Sequence, residues 1–198
     1  MIKRLLPILL LLLVAACANY TLVPAGRTAV QGTLSVEPGI PRNRFERVAG
    51  GVSGSSNQNE QWTLNGIGLD SVQFFAGIAD GQAMIKATGD GKETYPAFHK
   101  SMTASEIMDL FEATFIKSAK TTVASTRNLR TAKFGDGDGF RFEMSYVLKD
   151  EIDRELSAAG AVKNEKLYLI VYGGPKLYYY DRYLPEFDKL VATAQITK

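Results

Sequence analysis

The sequence predicts an α+β fold in which an antiparallel sheet packs with two main helices. Segments of alternating apolar and polar residues are joined by short turns rich in glycine and aspartate, a pattern typical of hairpins. Two other segments, one central and one at the C-terminal end, repeat apolar residues at helical spacing. The composition, 45% apolar and 22% charged over 198 residues, is that of a soluble globular protein.

The first 16 residues predict a signal peptide. Lys3 and Arg4 precede an apolar stretch from Leu5 to Val14, and two alanines follow it. About ten apolar residues are too few to span a hydrocarbon core of roughly 30 Å as a helix. They fit the apolar region of a signal peptide, with the basic pair held on the cytoplasmic side.

The four residues from Val14 to Cys17, directly after this stretch, read Val-Ala-Ala-Cys and resemble the lipobox of bacterial lipoproteins. The resemblance implies that Cys17 becomes the first residue of the mature protein and carries acyl chains such as palmitate, which anchor it to a lipid bilayer. It further implies a periplasm-facing position in the cell envelope, and Ala18 in place of an aspartate favours the outer membrane. The alternative is an ordinary secreted protein in which Cys17 has no role.

The leader accounts for the net positive charge. The chain carries 23 basic and 21 acidic residues, so the loss of Lys3 and Arg4 leaves the mature chain neutral. Nucleic-acid binding requires a clustered basic surface, and no such run is present. A single cysteine excludes an internal disulfide, and a single histidine, His99, disfavours a metal site built on thiolates and imidazoles. We expect no cofactor and no nucleic-acid partner.

Residues 17–59 are predicted to form a lipidated N-terminus with a tether, and residues 60–198 are predicted to form the globular domain. Prolines and glycines interrupt the first region, in which only Thr28–Val36 alternates enough for one strand. Residues 49–59 are rich in glycine, serine and asparagine and predict a flexible loop.

The first half of the domain predicts strands and one helix. Strands are expected at 61–64 and 71–76, and the turn signal at 79–81 predicts a hairpin partner at 82–86. Thr103 and Glu106 have the spacing of a capping box, so we expect a helix from residue 103 to about residue 118.

The second half of the domain predicts an antiparallel run of strands and a closing helix. The expected strands are 123–134, 140–146, 166–172 and 176–180, with turns at 135–139 and 173–175. Residues 150–161 fit either a helix or a further strand. Pro185 is expected in the first turn of the closing helix, where its missing N–H has no cost.

This order of elements, with its closing helix around Leu184–Val191, resembles PsbP-like α/β/α sandwich domains over roughly residues 60–195. Trp62, Leu69–Val72 and Met102–Thr103 also resemble a group of small alphaproteobacterial lipoproteins. PsbP-like domains mostly act as binding or assembly factors, so the resemblance implies a protein without catalytic activity.

The residues between Gly135 and Gly139 come nearest to a metal loop, because Asp136 and Asp138 alternate with glycines. A calcium loop of the EF-hand type also needs an oxygen ligand at its fifth position and a carboxylate at its twelfth. Those positions hold Phe140 and Val147. We therefore interpret the segment as a hairpin turn and expect no metal.

His99 supports one enzyme hypothesis, a periplasmic hydrolase in which it acts with aspartate or serine partners. No Gly-x-Ser-x-Gly motif on a strand–helix turn accompanies it. We interpret His99 as a loop residue and assign no catalytic residue.

Tyrosines are concentrated near the C-terminal end, beside Lys176 and Arg182. Tyrosine supplies a large contact area at low conformational cost, so the cluster is a candidate interface for an envelope protein partner. The alternative is that the rings pack the sheet against a helix. The candidate interface residues are Tyr168, Tyr172, Tyr178, Tyr180 and Tyr183.

These observations favour a membrane-anchored envelope protein with a binding or assembly role. The alternatives are the hydrolase that uses His99 and a carrier of an apolar ligand, which would need an enclosed cavity.

Overall fold

A computed structural model describes residues 20–45, 59–66, 68–85 and 94–197. The predicted signal peptide 1–16, Cys17 and nearly all of the predicted loop 49–59 lie outside the described residues. The described residues form two α-helices, α1 (Ala104–Ala119) and α2 (Asp181–Ala192). The described strands are β1 (Tyr20–Val23), β2 (Thr28–Val30), β3 (Leu34–Val36), β4 (Arg42–Phe45), β5 (Asn59–Thr63), β6 (Ser71–Ile78), β7 (Ala124–Phe134), β8 (Gly137–Val147), β9 (Asp153–Lys163), β10 (Lys166–Pro175) and β11 (Gln195–Ile196).

Eight of the strands form one antiparallel sheet, in the order β1-β4-β5-β6-β10-β9-β8-β7. β11, β3 and β2 form a small second sheet. The α+β prediction, with an antiparallel sheet and two main helices, is confirmed. Residues 20–45 contribute strands to both sheets and are therefore part of the folded unit.

The large sheet is covered on both faces, which gives the protein two hydrophobic cores. On one face Ile107, Leu110 and Phe111 of α1 pack with a core that includes Phe142 and Leu169. On the other face α2 and the small sheet enclose a second core. Its members include Trp62, Phe74, Ile170, Phe187, Leu190, Val30 and Leu34.

A bulge in β6 distributes its side chains between these cores. The register skips from Ile78 to Ala76 opposite Leu167 and Tyr168, and Gly77 occupies the left-handed region at φ +78°, where glycine is favoured. One extra residue reverses the alternation. Phe74 and Ala76 therefore belong to the core under α2, and Ile78 to the core under α1.

The predicted capping box starts α1. The Thr103 hydroxyl accepts a hydrogen bond from the Glu106 amide at 3.3 Å, and the Glu106 carboxylate accepts one from the Thr103 amide at 2.7 Å. Lys120 ends the helix in the left-handed conformation, and its N–H donates to the Ile116 carbonyl. The predicted helix is confirmed. Among the described residues, no helix has both the length and the apolar character that crossing a membrane requires.

The segment 150–161, for which helix and strand were both open, is a strand from residue 153 onward, in β9. Leu156 to Ala161 are buried on both faces of this central strand. A strand that is covered on both sides has no alternation of polar and apolar residues, which explains why its pattern did not distinguish it from a helix.

Three expectations about local structure are wrong. Thr28–Val36 is two strands, because Gln31 and Gly32 adopt positive φ and turn the chain back. Of the predicted strand 82–86, the described residues 82–85 are not a strand: Ala83 forms only an isolated bridge with Ala97, and Met84 is buried in the core under α1.

The third is the predicted strand 176–180. This segment turns directly into α2, so the helix begins at Asp181 and Pro185 is its fifth residue. Pro185 therefore lies inside the helix, where it removes one backbone donor.

Candidate binding surface

The candidate tyrosine interface divides into buried and exposed residues. Tyr168, Tyr172 and Tyr180 are buried in the core under α2, so they are not available to a partner, and their assignment to an interface is corrected. Tyr168 and Tyr172 are buried because β10 is a central strand with both faces covered, and Tyr180, which follows β10, stacks on Tyr172. The Tyr172 ring lies 5.7 Å from that of Tyr180 and 5.9 Å from that of Phe187.

Tyr172 fixes the segment between β10 and α2, which we call the connecting segment (Lys176–Tyr180). Its hydroxyl donates to the Tyr179 carbonyl at 2.8 Å and lies 3.2 Å from the Tyr180 carbonyl. Burial raises the pKa of Tyr172, so the hydroxyl stays protonated and acts as a donor. The buried tyrosines thus hold the ends of a segment whose middle faces solvent.

The middle of the connecting segment exposes two apolar residues. Leu177 is 87% exposed and Tyr178 is 60% exposed. Tyr178 adopts φ +77° and ψ −44°, a strained combination close to the rare γ-turn. Such conformations persist only where the surroundings impose them, and they cluster at functional sites.

Arg182, on the first turn of α2, orients the exposed ring of Tyr178. Its guanidinium donates to the Tyr178 hydroxyl at 2.5 Å and lies 5.0 Å from the centre of that ring. The same guanidinium lies 5.6 Å from the centre of the half-buried Tyr183 ring. Tyr178 and Tyr183 are therefore the two predicted interface residues that reach the surface, and a cation links them.

A groove of about 590 Å³ with both polar and apolar lining residues adjoins the connecting segment. Glu155, a buried carboxylate in its wall, is paired with Arg127 and lies 3.6 Å from the ammonium group of Lys176. The groove is lined by residues 122–125, 145–147 and 153–155 and by Lys176. Arg154, another lining residue, is paired with Asp150 at 2.6 Å.

His99 lies on an exposed loop. Its Nδ1 is 3.5 Å from the carboxylate of Asp80, and the two side chains are 59% and 52% exposed. Asp80 also accepts a hydrogen bond from the Lys100 amide at 3.0 Å, which lowers the pKa of this carboxyl. The contact ties two loops together at the surface, where water reaches both groups.

The predicted turn at 135–139 joins β7 and β8. Gly135 has φ +61°, and Asp138 pairs with Lys133 at 2.7 Å across the hairpin. Within the parts of the chain that the structure describes, no group of three histidine, cysteine, aspartate or glutamate side chains could hold a metal ion.

A buried arginine was not foreseen from the sequence. Arg42 is 1% exposed, its Nε and Nη1 atoms make no hydrogen bond to the described residues, and burial lowers the pKa of its guanidinium. Asp70, whose negative charge opposes this effect most, already accepts hydrogen bonds from the amides of Leu64 and Asn65. No sequence signal marks such a residue, because arginine is mostly exposed.

An apolar space lies beside the C-terminal end of α1. It has a volume of about 320 Å³ and is lined by Phe111 and Phe115 of α1 and by Gln61, Gln73 and Val171 of the large sheet. This volume is near the lower end of the range for small-molecule sites.

The comparisons with known proteins support the fold. The solution structure of cyanobacterial PsbP (CyanoP) from Synechocystis superposes with a TM-score of 0.53 at 13% identity, over 92% of this chain and 95% of that one. A crystal structure from Bacteroides thetaiotaomicron has a TM-score of 0.52 at 10% identity, over 89% of this chain. This chain spans about half the length of that protein, 50%.

LpqN of Mycobacterium tuberculosis, described as involved in cell envelope biogenesis, has a TM-score of only 0.36 at 7% identity, over 92% of this chain and 80% of that one. No protein-family model matches the sequence, and no curated protein does. At these identities the likeness to CyanoP shows the fold alone, and it confirms the PsbP-like architecture that the order of elements predicted.

Proposed function

We propose that this protein is a lipid-anchored protein of the bacterial cell envelope that binds a protein partner and does not catalyse a reaction. The observation that carries the proposal is the exposed pair Leu177 and Tyr178, which the connecting segment holds away from the core. The groove beside Lys176 extends the same surface.

The backbone of Tyr178 supports a binding role. A non-glycine residue in such a conformation costs about 1–3 kcal/mol, and its exposed ring returns little of that through burial within this chain. Because the hydroxyl of Tyr172 and the guanidinium of Arg182 impose the arrangement, the exposed pair is pre-organised. Pre-organised aromatic and aliphatic residues are common anchors of protein interfaces.

The surroundings of His99 favour binding over hydrolysis. A general base and its nucleophile work best in a site that excludes water, whereas His99 and Asp80 are each more than half exposed. The carrier alternative would use the apolar space beside α1. That space is too small for a long acyl chain, so it supports the carrier hypothesis less than the exposed pair supports binding.

The anchor in this proposal is Cys17, and its support is the lipobox-like sequence from Val14 to Cys17. The mature chain would carry acyl groups, palmitate among them, and face the periplasm. Ala18 favours the outer membrane as its location. Mass spectrometry of the mature N-terminus and density-gradient fractionation test this part. A Cys17→Ala variant that fractionates with membranes as the native protein does would contradict it.

Site-specific photo-crosslinking tests the binding role. A photoreactive amino acid at Leu177 should give one protein adduct of defined mass in the native envelope. The matched control is Lys163, an exposed residue at the end of β9, where it pairs with Lys166 at the start of β10. The length of β10, about 30 Å, separates Lys163 from the connecting segment. A probe at Lys163 should give no such adduct. Equal labelling at the two positions, or none at Leu177, would contradict the proposal.

Two substitutions separate binding from folding. Leu177→Ala should change the free energy of unfolding by less than about 0.5 kcal/mol, yet reduce adduct formation from a probe at position 179. Tyr178→Gly should stabilise the domain, because glycine adopts positive φ without strain, while it also weakens the adduct. Loss of stability with Tyr178→Gly would show that the exposed ring serves the fold.

A further inference from the structure

The first strand of the large sheet exposes apolar side chains. Leu22 is 66% exposed and Tyr20 is 45% exposed, and because they are two residues apart on β1 they lie on the same face of the sheet. Phe45 on β4 pairs with Tyr20, and the two ring centres are 5.5 Å apart. These three residues form one patch, which we call the β1 patch.

The β1 patch lies at the rim of the molecule. β1 is the outer strand of the sheet in the described part of the chain. It carries no charged residue, and its register with β4 runs without a bulge. An uncharged, regular outer strand is prone to associate with another surface. We therefore ask which surface covers β1.

The chain itself limits the answer. Tyr20 is three residues from Cys17, and a chain extends at most about 3.6 Å per residue, or about 11 Å in all. If Cys17 carries the acyl anchor, the bilayer surface therefore lies within roughly this distance of the start of β1. This is about the width of one helix, so a folded partner could not be placed between the anchor and β1.

The side chains of the β1 patch suit the interface between lipid and water. Tyrosine is enriched there because its ring is apolar and its hydroxyl stays hydrated. Apolar side chains of surface-bound elements enter this region by about 5–10 Å. Since the anchor makes the contact intramolecular, a patch of three side chains is sufficient to orient the domain.

We propose that the β1 patch of Tyr20, Leu22 and Phe45 rests in the headgroup region of the bilayer that holds the anchor. This inference rests on the proposed acylation of Cys17. It sets the orientation of the domain, with the β1 edge at the membrane. The outer strand at the other edge of the sheet, β7, lies about 34 Å away across seven strand spacings.

Depth-dependent fluorescence quenching of the acylated, full-length mature protein tests this orientation. Acylation blocks Cys17, so a Leu22→Cys variant offers a single thiol for an environment-sensitive fluorophore. The protein is reconstituted in vesicles of phosphatidylethanolamine and phosphatidylglycerol that contain lipids brominated high on the acyl chain. The matched control is Lys133→Cys on β7, and Tyr20→Cys provides a second label in the β1 patch.

We expect the bromolipid to quench the label at position 22 about threefold more than the label at position 133, since apolar groups at this depth reach the upper acyl chains. Aqueous iodide should show the reverse order. Equal quenching at the two positions in protein that is acylated and vesicle-bound would overturn this inference and leave the anchor intact.

Two other results would also overturn the inference. A label at position 22 that is shielded from both quenchers would show that a protein chain covers the β1 patch. A mature protein without acyl groups, or one that does not bind vesicles, would overturn both the anchor and the orientation. Mass spectrometry and vesicle flotation, performed on the same samples, distinguish these cases.

Discussion

The two outer strands of the large sheet differ in how they are protected against further pairing. β7 has eleven residues, carries three basic side chains and is interrupted by a bulge between Arg127 and Arg130, where Asn128 adopts φ +57°. β1 has four residues and neither charge nor bulge. Charges and bulges are common devices against edge-to-edge association. β7 is therefore protected against association while it remains in solvent. β1 is protected only by its short length and by whatever surface covers it.

The basic residues of β7 also serve the structure beneath them. Arg127 pairs with Glu155 and lies 3.8 Å from Glu143. Arg130 lies 3.6 Å from the same Glu143 carboxylate. Lys133 pairs with Asp138. Only Glu155 among these carboxylates is buried. The β7 edge thus combines protection from association with compensation of a buried charge, and β1 provides neither.

The largest effect in this comparison is expected for Arg127→Ala. The substitution removes the hydrogen-bonded partner of the buried Glu155 carboxylate, which should lower the free energy of unfolding by about 1–3 kcal/mol. Denaturant unfolding measures it. Arg130→Ala, whose partner Glu143 is more exposed, is the matched control and should cost less than about 1 kcal/mol. Equal effects would show that Glu155 does not depend on Arg127.

A smaller effect on stability, but a clear one on association, is expected for Leu22→Lys. The side chain is 66% exposed, so the free energy of unfolding should change by less than about 0.5 kcal/mol. In the Cys17→Ala form, which lacks the anchor site, the new charge on β1 should reduce self-association, as measured by light scattering. Lys133→Val on β7 should increase it. If Leu22→Lys left self-association unchanged, β1 would not be the less protected edge.

The smallest effect is expected for acid titration of Asp150, before the start of β9. Two hydrogen bonds from Arg154, at 2.7 and 2.6 Å, lower the pKa of this carboxyl from 3.8 to about 2. Because the pKa is lower in the folded state, the pair stabilises the fold above about pH 4, and this contribution is lost as the pH falls from 4 toward 2.

NMR titration of the Asp150 side-chain carbon measures this shift. Arg154→Met should return the pKa to its ordinary range. A pKa of Asp150 that does not respond to Arg154→Met would disprove the assigned cause.

The sequence predicted those elements whose signals are local. The capping box at Thr103 and Glu106 involves contacts three residues apart, and β8 alternates because one of its faces is more buried than the other. β9 was left open because its small residues are buried on both faces. The predicted strand 176–180 was wrong because the turn into α2 is imposed by Tyr172, several residues earlier in the chain.

The candidate binding surface was predicted only in part. Tyrosine content drew attention to the segment that carries the exposed Tyr178, but it could not separate this residue from the buried Tyr168, Tyr172 and Tyr180. That separation depends on the central position of β10 in the sheet and on the stacking of Tyr180 against Tyr172. Leu177 and Arg182, which complete the exposed surface, acquire their positions from the same arrangement.

The sequence by itself determined the α+β class and the helix that follows Thr103, and it predicts the leader and the anchor at Cys17, because each depends on residues that are close together in the chain. Tertiary structure decided the rest. β3 pairs with β11 near the opposite end of the chain, and Arg42 is buried because β4 lies between β1 and β5. Such pairings depend on segments far apart in sequence, whose contacts form only when the whole sheet is assembled.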